Sequence, residues 1–111
     1  MNADELLERY AANEREFLDL NLRGISLIGV NLSEINLRGS DLSEANLTGA
    51  SLVGANLREA NLRGAILRAN LCEANLIGAN ITGADLSAAN LSGASLRTAQ
   101  LEDSKFMGAN L

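Results

Sequence analysis

The chain of 111 residues contains no histidine, no proline, no tryptophan and one cysteine. Without histidine it lacks the most common metal ligand and the usual general base of neutral-pH catalysis. A lone Cys72 excludes an intramolecular disulfide. Aromatic residues are 3% of the chain although 47% is hydrophobic, so the core lacks its customary large fillers and is expected to consist of small, repeated layers. No apolar run approaches the roughly 18 residues of a membrane span. The opening segment MNADELLERY is acidic and has no signal-peptide apolar stretch, so the expected location is cytoplasmic. A net charge of −5 argues against a basic nucleic-acid-binding face.

What the chain does have is a period of five. From Phe17, large apolar residues recur at 22, 27, 32, 37 and onward to 67, then from 71 to 111 in the same step. Two residues before each sits a smaller one: Leu20, Ile25, Val30 and Ile35 early, and alanine almost throughout from Ala45. Between the two lies a short polar residue, usually Asn or Asp, as at Asn31, Asn36, Asp41 and Asn56. On a helix, five steps of about 100° would smear the leucines around the axis. On a flat strand, an odd spacing would send successive leucines to opposite faces. The pattern is consistent only with a chain that turns a corner every five residues, with the residues on either side of the polar one pointing inward. Glycine falls on the second residue after the leucine, the corner, where a positive φ is often needed. Each buried leucine contributes roughly 1.5–3 kcal/mol. Asparagines stacked coil on coil could form side-chain ladders.

The unit A-(N/D)-L-x-x, seen in ANLTG, ANLRE, ADLSA and ANLSG, resembles the pentapeptide-repeat family, over residues 15–111. The resemblance implies an all-β, right-handed quadrilateral parallel β-helix with four repeats per coil and about five coils. Residues 1–14 form a separate N-terminal helical cap. There Asn2 and Glu5 fit a capping box, Leu6, Leu7 and Tyr10 share one helix side, and Asn13 suits the left-handed residue that ends a helix. The expected helix is about 3–12, with its Leu/Tyr face on the first coil. This opening resembles cyanobacterial members of the family. The last coil has no comparable cover, so Phe106 and Leu111 are candidate contacts for an end-to-end homodimer.

The period falters once. Leu67 is followed by Leu71, four residues on. If Leu67 points inward, the short unit is Ala65, Ile66, Leu67, Arg68, with Ile66 in the polar position. If Ile66 points inward, the preceding side is the short one. The first alignment keeps Ala65 in the small inward position and is preferred. The deletion is read as tolerated, with a distorted turn and one lost coil-to-coil bond. A binding notch is the competing reading, set aside because a deletion tightens the side.

The outer walls carry little chemistry. One has Arg38, Arg58 and Arg97 with Leu18, Ile77 and Glu59. A second mixes Arg23, Asp41, Glu44, Arg63, Glu102 and Asp103. A third holds Ile28, Thr48, Arg68, Ser87 and Met107, and the last Glu34, Val53, Cys72, Glu73 and Ser92. Cys72 has Glu73 beside it and no base, so it is read as a plain surface thiol. The carboxylates occupy repeat positions, no metal or cofactor set is visible, and no phosphate-loop pattern occurs. Some members of the family mimic duplex DNA and bind DNA gyrase or topoisomerase. That needs a continuous acidic wall, whereas residues 17–111 hold nine acids against seven bases. The expectation is therefore a non-catalytic interaction or scaffold module that binds an unidentified protein, with no small-molecule substrate, no direct nucleic-acid binding and no membrane.

Overall fold

The computed structural model describes all residues, 1–111. One helix, α1 (Ala3–Ala11), precedes a coil that occupies the rest of the chain. Asn2 caps α1 by accepting the Glu5 N–H on its side-chain oxygen at 2.9 Å. The reciprocal arm of a capping box, from the Glu5 carboxylate, is not made. Asp4 and Glu5 lie in the first turn and Arg9 in the last, the charge order that complements the helix dipole. Asn13, at φ 73°, turns the chain out of the helix.

From Glu16 onward the chain forms parallel bridges to itself at a fixed distance. Glu16 pairs with Asn36, Asn21 with Asp41, Ser26 with Asn46 and Asn31 with Ser51. One turn of the coil is therefore 20 residues, or four repeats. Four columns result, each five levels deep; one runs Glu16, Asn36, Asn56, Asn75, Ser95. The molecule measures 34 × 21 × 21 Å. The expected all-β architecture differs in one respect. Its bridges are isolated, and no residue belongs to an extended strand. A corner every five residues leaves each side too short for one.

In the inner coils, every backbone N–H of a repeat with Asn or Asp in the polar position is accounted for. In the repeat that begins at Leu20, the Leu22 N–H donates to the Asp41 carbonyl of the next coil at 2.7 Å and the Gly24 N–H to the Ser43 carbonyl at 2.8 Å. The Ile25 N–H closes the corner onto the Leu22 carbonyl at 3.1 Å. One coil on, the Asp41 N–H reaches back to the Leu20 carbonyl at 2.8 Å. The remaining donor, on the residue after the leucine, finds the polar side chain two residues earlier: the Arg23 N–H donates to Asn21 Oδ1 at 3.2 Å. The asparagines thus act as local Asx turns. Between coils, the asparagine side chains join only at Asn36 to Glu16 and at Asn110 to Asn90, so the expected Asn ladders give way to these turns. A carboxamide oxygen is better used on a donor that the coil-to-coil bonds cannot reach.

The second corner residue has a positive φ at all eighteen regular corners, the geometry of a type II turn. Ten are glycine; the others are Asp19, Glu34, Glu44, Glu59, Glu73, Ala88, Thr98 and Asp103.

The leucine column and its alanine partners form one continuous core, from Leu6 of α1 through Phe17 to Leu91. Leu6 is fully buried, while Leu7 and Tyr10 pack against the core from its edge. The Tyr10 hydroxyl donates to the Ser33 carbonyl at 2.8 Å, and the Arg15 guanidinium lies 3.7 Å above the Tyr10 ring. Arg9 grips Glu14 with two bonds of 2.7 and 2.8 Å. At the opposite end burial falls away: Leu101 is 42% exposed and Leu111 76%, with Phe106 between them half-buried.

Candidate functional site

Three surfaces stand out: the fault, a depression on the arginine wall, and the open last coil.

At the fault Leu67 is fully buried, and Ala65 and Ala69 hold the small inward positions. Ile66 takes the polar position and bridges both Asn46 above and Asp85 below. The coils that pass the fault have 19 residues, as in Ser51 to Asn70 and Ile66 to Asp85. By Asn70 to Asn90 the spacing is 20 again. The corner closes through a three-residue turn, with the Ala69 N–H on the Leu67 carbonyl at 2.8 Å. Regular corners close over four residues, as Ala65 does onto Leu62. The absent residue is the one whose N–H would donate to the Ser87 carbonyl, and that carbonyl accepts no backbone bond. Ile66 offers no Oδ1, so the Arg68 N–H is also without the Asx partner that twelve other repeats supply.

The tightened corner dents the wall. Gly49 in the coil before and Ala88 in the coil after stand proud of it. Ala50, Ser51, Arg68, Ala69, Asn70 and Asn90 line the rest of an open depression of about 430 Å³. Arg68 is the one charged residue in the lining and is in no ion pair.

The arginine wall differs. Leu18, Asp19, Arg38, Gly39 and Glu59 border a depression of about 330 Å³. Glu59 Oε1 lies 3.3 Å from Arg38 Nη2 and 3.5 Å from Arg58 Nε. The second contact is an ion pair by distance but not a hydrogen bond, and Arg58 Nε has no other partner. Both arginines are thus drawn to a carboxylate of their own chain, and pairs this exposed contribute little to stability. Ile77 is half-buried in the same column and Arg97 is exposed two residues after Ser95.

Two carboxylates are held below their ordinary range. Asp41 accepts the Ser43 hydroxyl at 2.6 Å and, secondarily, the Ser43 N–H at 2.9 Å, and its pKa is lowered. Asp85 is lowered chiefly by the Ser87 hydroxyl, then by the Ser87 N–H, with smaller contributions from Arg68 and Lys105. Both use the oxygens for turn geometry. Cys72 is half-buried, and nowhere do three or more His, Cys, Asp or Glu gather as a metal site would need. No helix is long and apolar enough to cross a membrane.

In the last coil, the N–H groups of Leu96, Leu101 and Phe106 have no ladder partner. Phe106 and Leu111, named from the sequence, both lie on this end face. Leu6, Leu7 and Tyr10 lie together at the opposite end. Ala65 to Arg68 lie midway between them.

A helix-capped solenoid of five-residue repeats is a well-defined class of protein, and comparison with known proteins places the chain within it. The family described as Pentapeptide repeats (8 copies) matches residues 21–58, 40–68, 52–93 and 74–111. The chain belongs to the pentapeptide-repeat family. A pentapeptide repeat protein of the Arabidopsis thaliana thylakoid lumen is 32% identical, with a TM-score of 0.52; the likeness covers 86% of this chain and 60% of that one. A pentapeptide repeat protein from Nostoc is 39% identical over 84% of this chain and 74% of its own, with a TM-score of 0.44. HetL of Nostoc, involved in heterocyst differentiation regulation, is 23% identical over 100% of this chain and 93% of its own, with a TM-score of 0.47. A comparison with curated proteins finds no match.

Proposed function

We propose that the protein is a non-catalytic interaction module: a rigid rod whose flat outer walls present side chains to another protein. The observation that carries this reading is the use of the polar groups. The Asn and Asp oxygens that a catalytic or ligand-binding site would need are engaged by the backbone of their own repeats. What is left for chemistry is a set of corner side chains on a scaffold of fixed spacing. We infer further that the five coils form the right-handed, square β-helix that the resemblance implies; the 20-residue bridge spacing and equal 21 × 21 Å cross-section support it. We propose a cytoplasmic location. The Arabidopsis relative comes from the thylakoid lumen, and fractionation of cells discriminates the two.

The test is affinity capture from the source organism. Four variants are used, each with the first corner residues of one wall exchanged for serine. A partner retained by three variants and lost with one supports the reading. A partner retained or lost equally by all four, or turnover of a substrate, opposes it. Gyrase mimicry is the alternative. Six of the nine coil acids are spread over three corner columns, where glycine separates them as in Glu34, Gly54, Glu73, Gly93, and Asp41, Asp85 and Glu102 lie elsewhere, so no single acidic wall forms. Unchanged DNA supercoiling by gyrase in the presence of the protein is the expected result.

A second copy is the partner we propose for the open coil. Leu101 and Leu111 are exposed there beside unpaired backbone donors, the kind of edge that pairs with another chain. Light scattering should give twice the chain mass, and Leu101→Lys should return it to the monomer. A monomer at high concentration would overturn this arrangement.

A further inference from the structure

The dent at the fault differs from the rest of the surface in its chemistry as well as its shape. On the arginine wall the one cation lining the depression, Arg38, faces Glu59 of its own chain, whereas the lining at the fault has a cation, two carboxamides and a hydroxyl, and no carboxylate. Asp85, the acid nearest in influence, is engaged by Ser87. The missing corner residue and the apolar Ile66 also leave the Ser87 carbonyl and the Arg68 N–H without the partners that regular repeats provide. A group entering the dent thus meets one guanidinium and the side-chain amides of Asn70 and Asn90.

We propose that this dent is a docking point for a carboxylate side chain, Glu or Asp, projecting from a protein partner. This deepens the reading of the protein as an interaction module and rests on it. The chemistry fits a carboxylate for three reasons. Arginine presents paired N–H donors that match its two oxygens. Asparagine amides add neutral donors. Gly49 and Ala88, on the flanking coils, have almost no side chain, so the approach of a knob of that size is unobstructed. At three regular corners, Gly54, Gly64 and Gly93, the space is filled by the carboxylates of Glu34, Glu44 and Glu73, which would repel such a knob; the corners at Gly24, Gly29 and Gly83 are open.

The experiment uses the ¹⁵N-labelled full chain and N-acetyl-glutamate amide as probe at millimolar concentration, with N-acetyl-glutamine amide as the neutral isostere and sodium acetate as the free anion. Saturable shifts confined to Gly49, Arg68, Asn70, Ala88 and Asn90 are expected, with affinity at least about tenfold weaker for the glutamine probe. Arg68→Gln should abolish them, while Arg63→Gln, on another wall, should not. Insertion of one glycine between Arg68 and Ala69 should remove the dent without unfolding the coil, because it restores the five-residue repeat. That variant should lose the shifts while keeping its thermal transition. Shifts that are absent, that spread over Arg38, Arg63 and Arg97 alike, that acetate reproduces at equal affinity, or that survive the insertion would overturn the proposal. Capture of a partner by another wall, with no response at the dent, would leave the interaction-module reading intact and remove this site alone.

Discussion

The carboxylate of Glu34 lies over Gly54 of the following coil, so that a Cβ on Gly54 would come within 2.8 Å of Glu34 Cδ. Asp19 stands in the same relation to Gly39, Glu44 to Gly64 and Glu73 to Gly93. Acid and glycine therefore alternate down a corner, which separates like charges by a full coil. Gly54→Ala should lose stability mainly from the left-handed backbone, about 1–2 kcal/mol, with a smaller addition from swinging the exposed Glu34 side chain aside. Gly24→Ala, where nothing lies within 4 Å, should lose only the first. Urea denaturation of G54A, G24A and G54A/E34A checks this: G54A should be the least stable, and E34A should recover the difference. Equal costs for G54A and G24A would contradict the stacking.

The Asx turns predict an unusual gain. Ser26 holds a polar position without a carboxamide, and the Ile28 N–H has no side-chain acceptor. Ser26→Asn should add that bond and raise stability by about 0.5–1 kcal/mol. Asn56→Ala removes the 3.0 Å bond from the Arg58 N–H and should cost about the same. Opposite shifts in thermal midpoint are the readout.

Acid should weaken the coil through Asp41 and Asp85. Their folded pKa values lie below the ordinary 3.8 because they accept bonds from Ser43 and Ser87. The unfolded chain takes up protons first, so the stabilisation is complete above about pH 4 and declines as pH falls through the lower folded values. Denaturant midpoints measured against pH should be flat near neutrality and drop in acid. Asp41→Asn with Asp85→Asn, which keeps the turn acceptor, should shallow that drop.

Core truncations should report the capping. Leu57 is fully buried in the middle coil, and Leu57→Ala should cost about 2–5 kcal/mol. Leu111, largely exposed, should tolerate the same change with little effect in the monomer. Comparable losses at both sites, read by calorimetry, would mean that the last coil is covered in solution.

The leucine spacing made the coil legible, because no straight element can bury one residue in five. It also located the fault to the residue. The helix was readable from Asn2, the Leu6/Leu7/Tyr10 side and Asn13. The asparagine role was not readable, since the donor it satisfies is identifiable only after the coil-to-coil bonds are assigned. Nor was the pairing of Glu34 with Gly54: those residues are 20 apart, and only the column register brings them together. The glycines marked the corners, but Ala88, Thr98 and the acids adopt the same positive φ, a conformation imposed by the turn rather than announced by the residue. At the fault, the tightened corner was foreseeable; that its taller neighbours would turn it into a hollow was not.

The short repeat at Leu67 has a consequence for how such a chain can vary. Inward and outward positions are reset at every bend, so losing one residue there shortens a perimeter without changing which downstream side chains face the axis. Helices and long strands have no such tolerance, because a deletion rotates or inverts everything after it. This architecture can lose single residues at its bends, each loss leaving a local hollow in an otherwise unaltered surface.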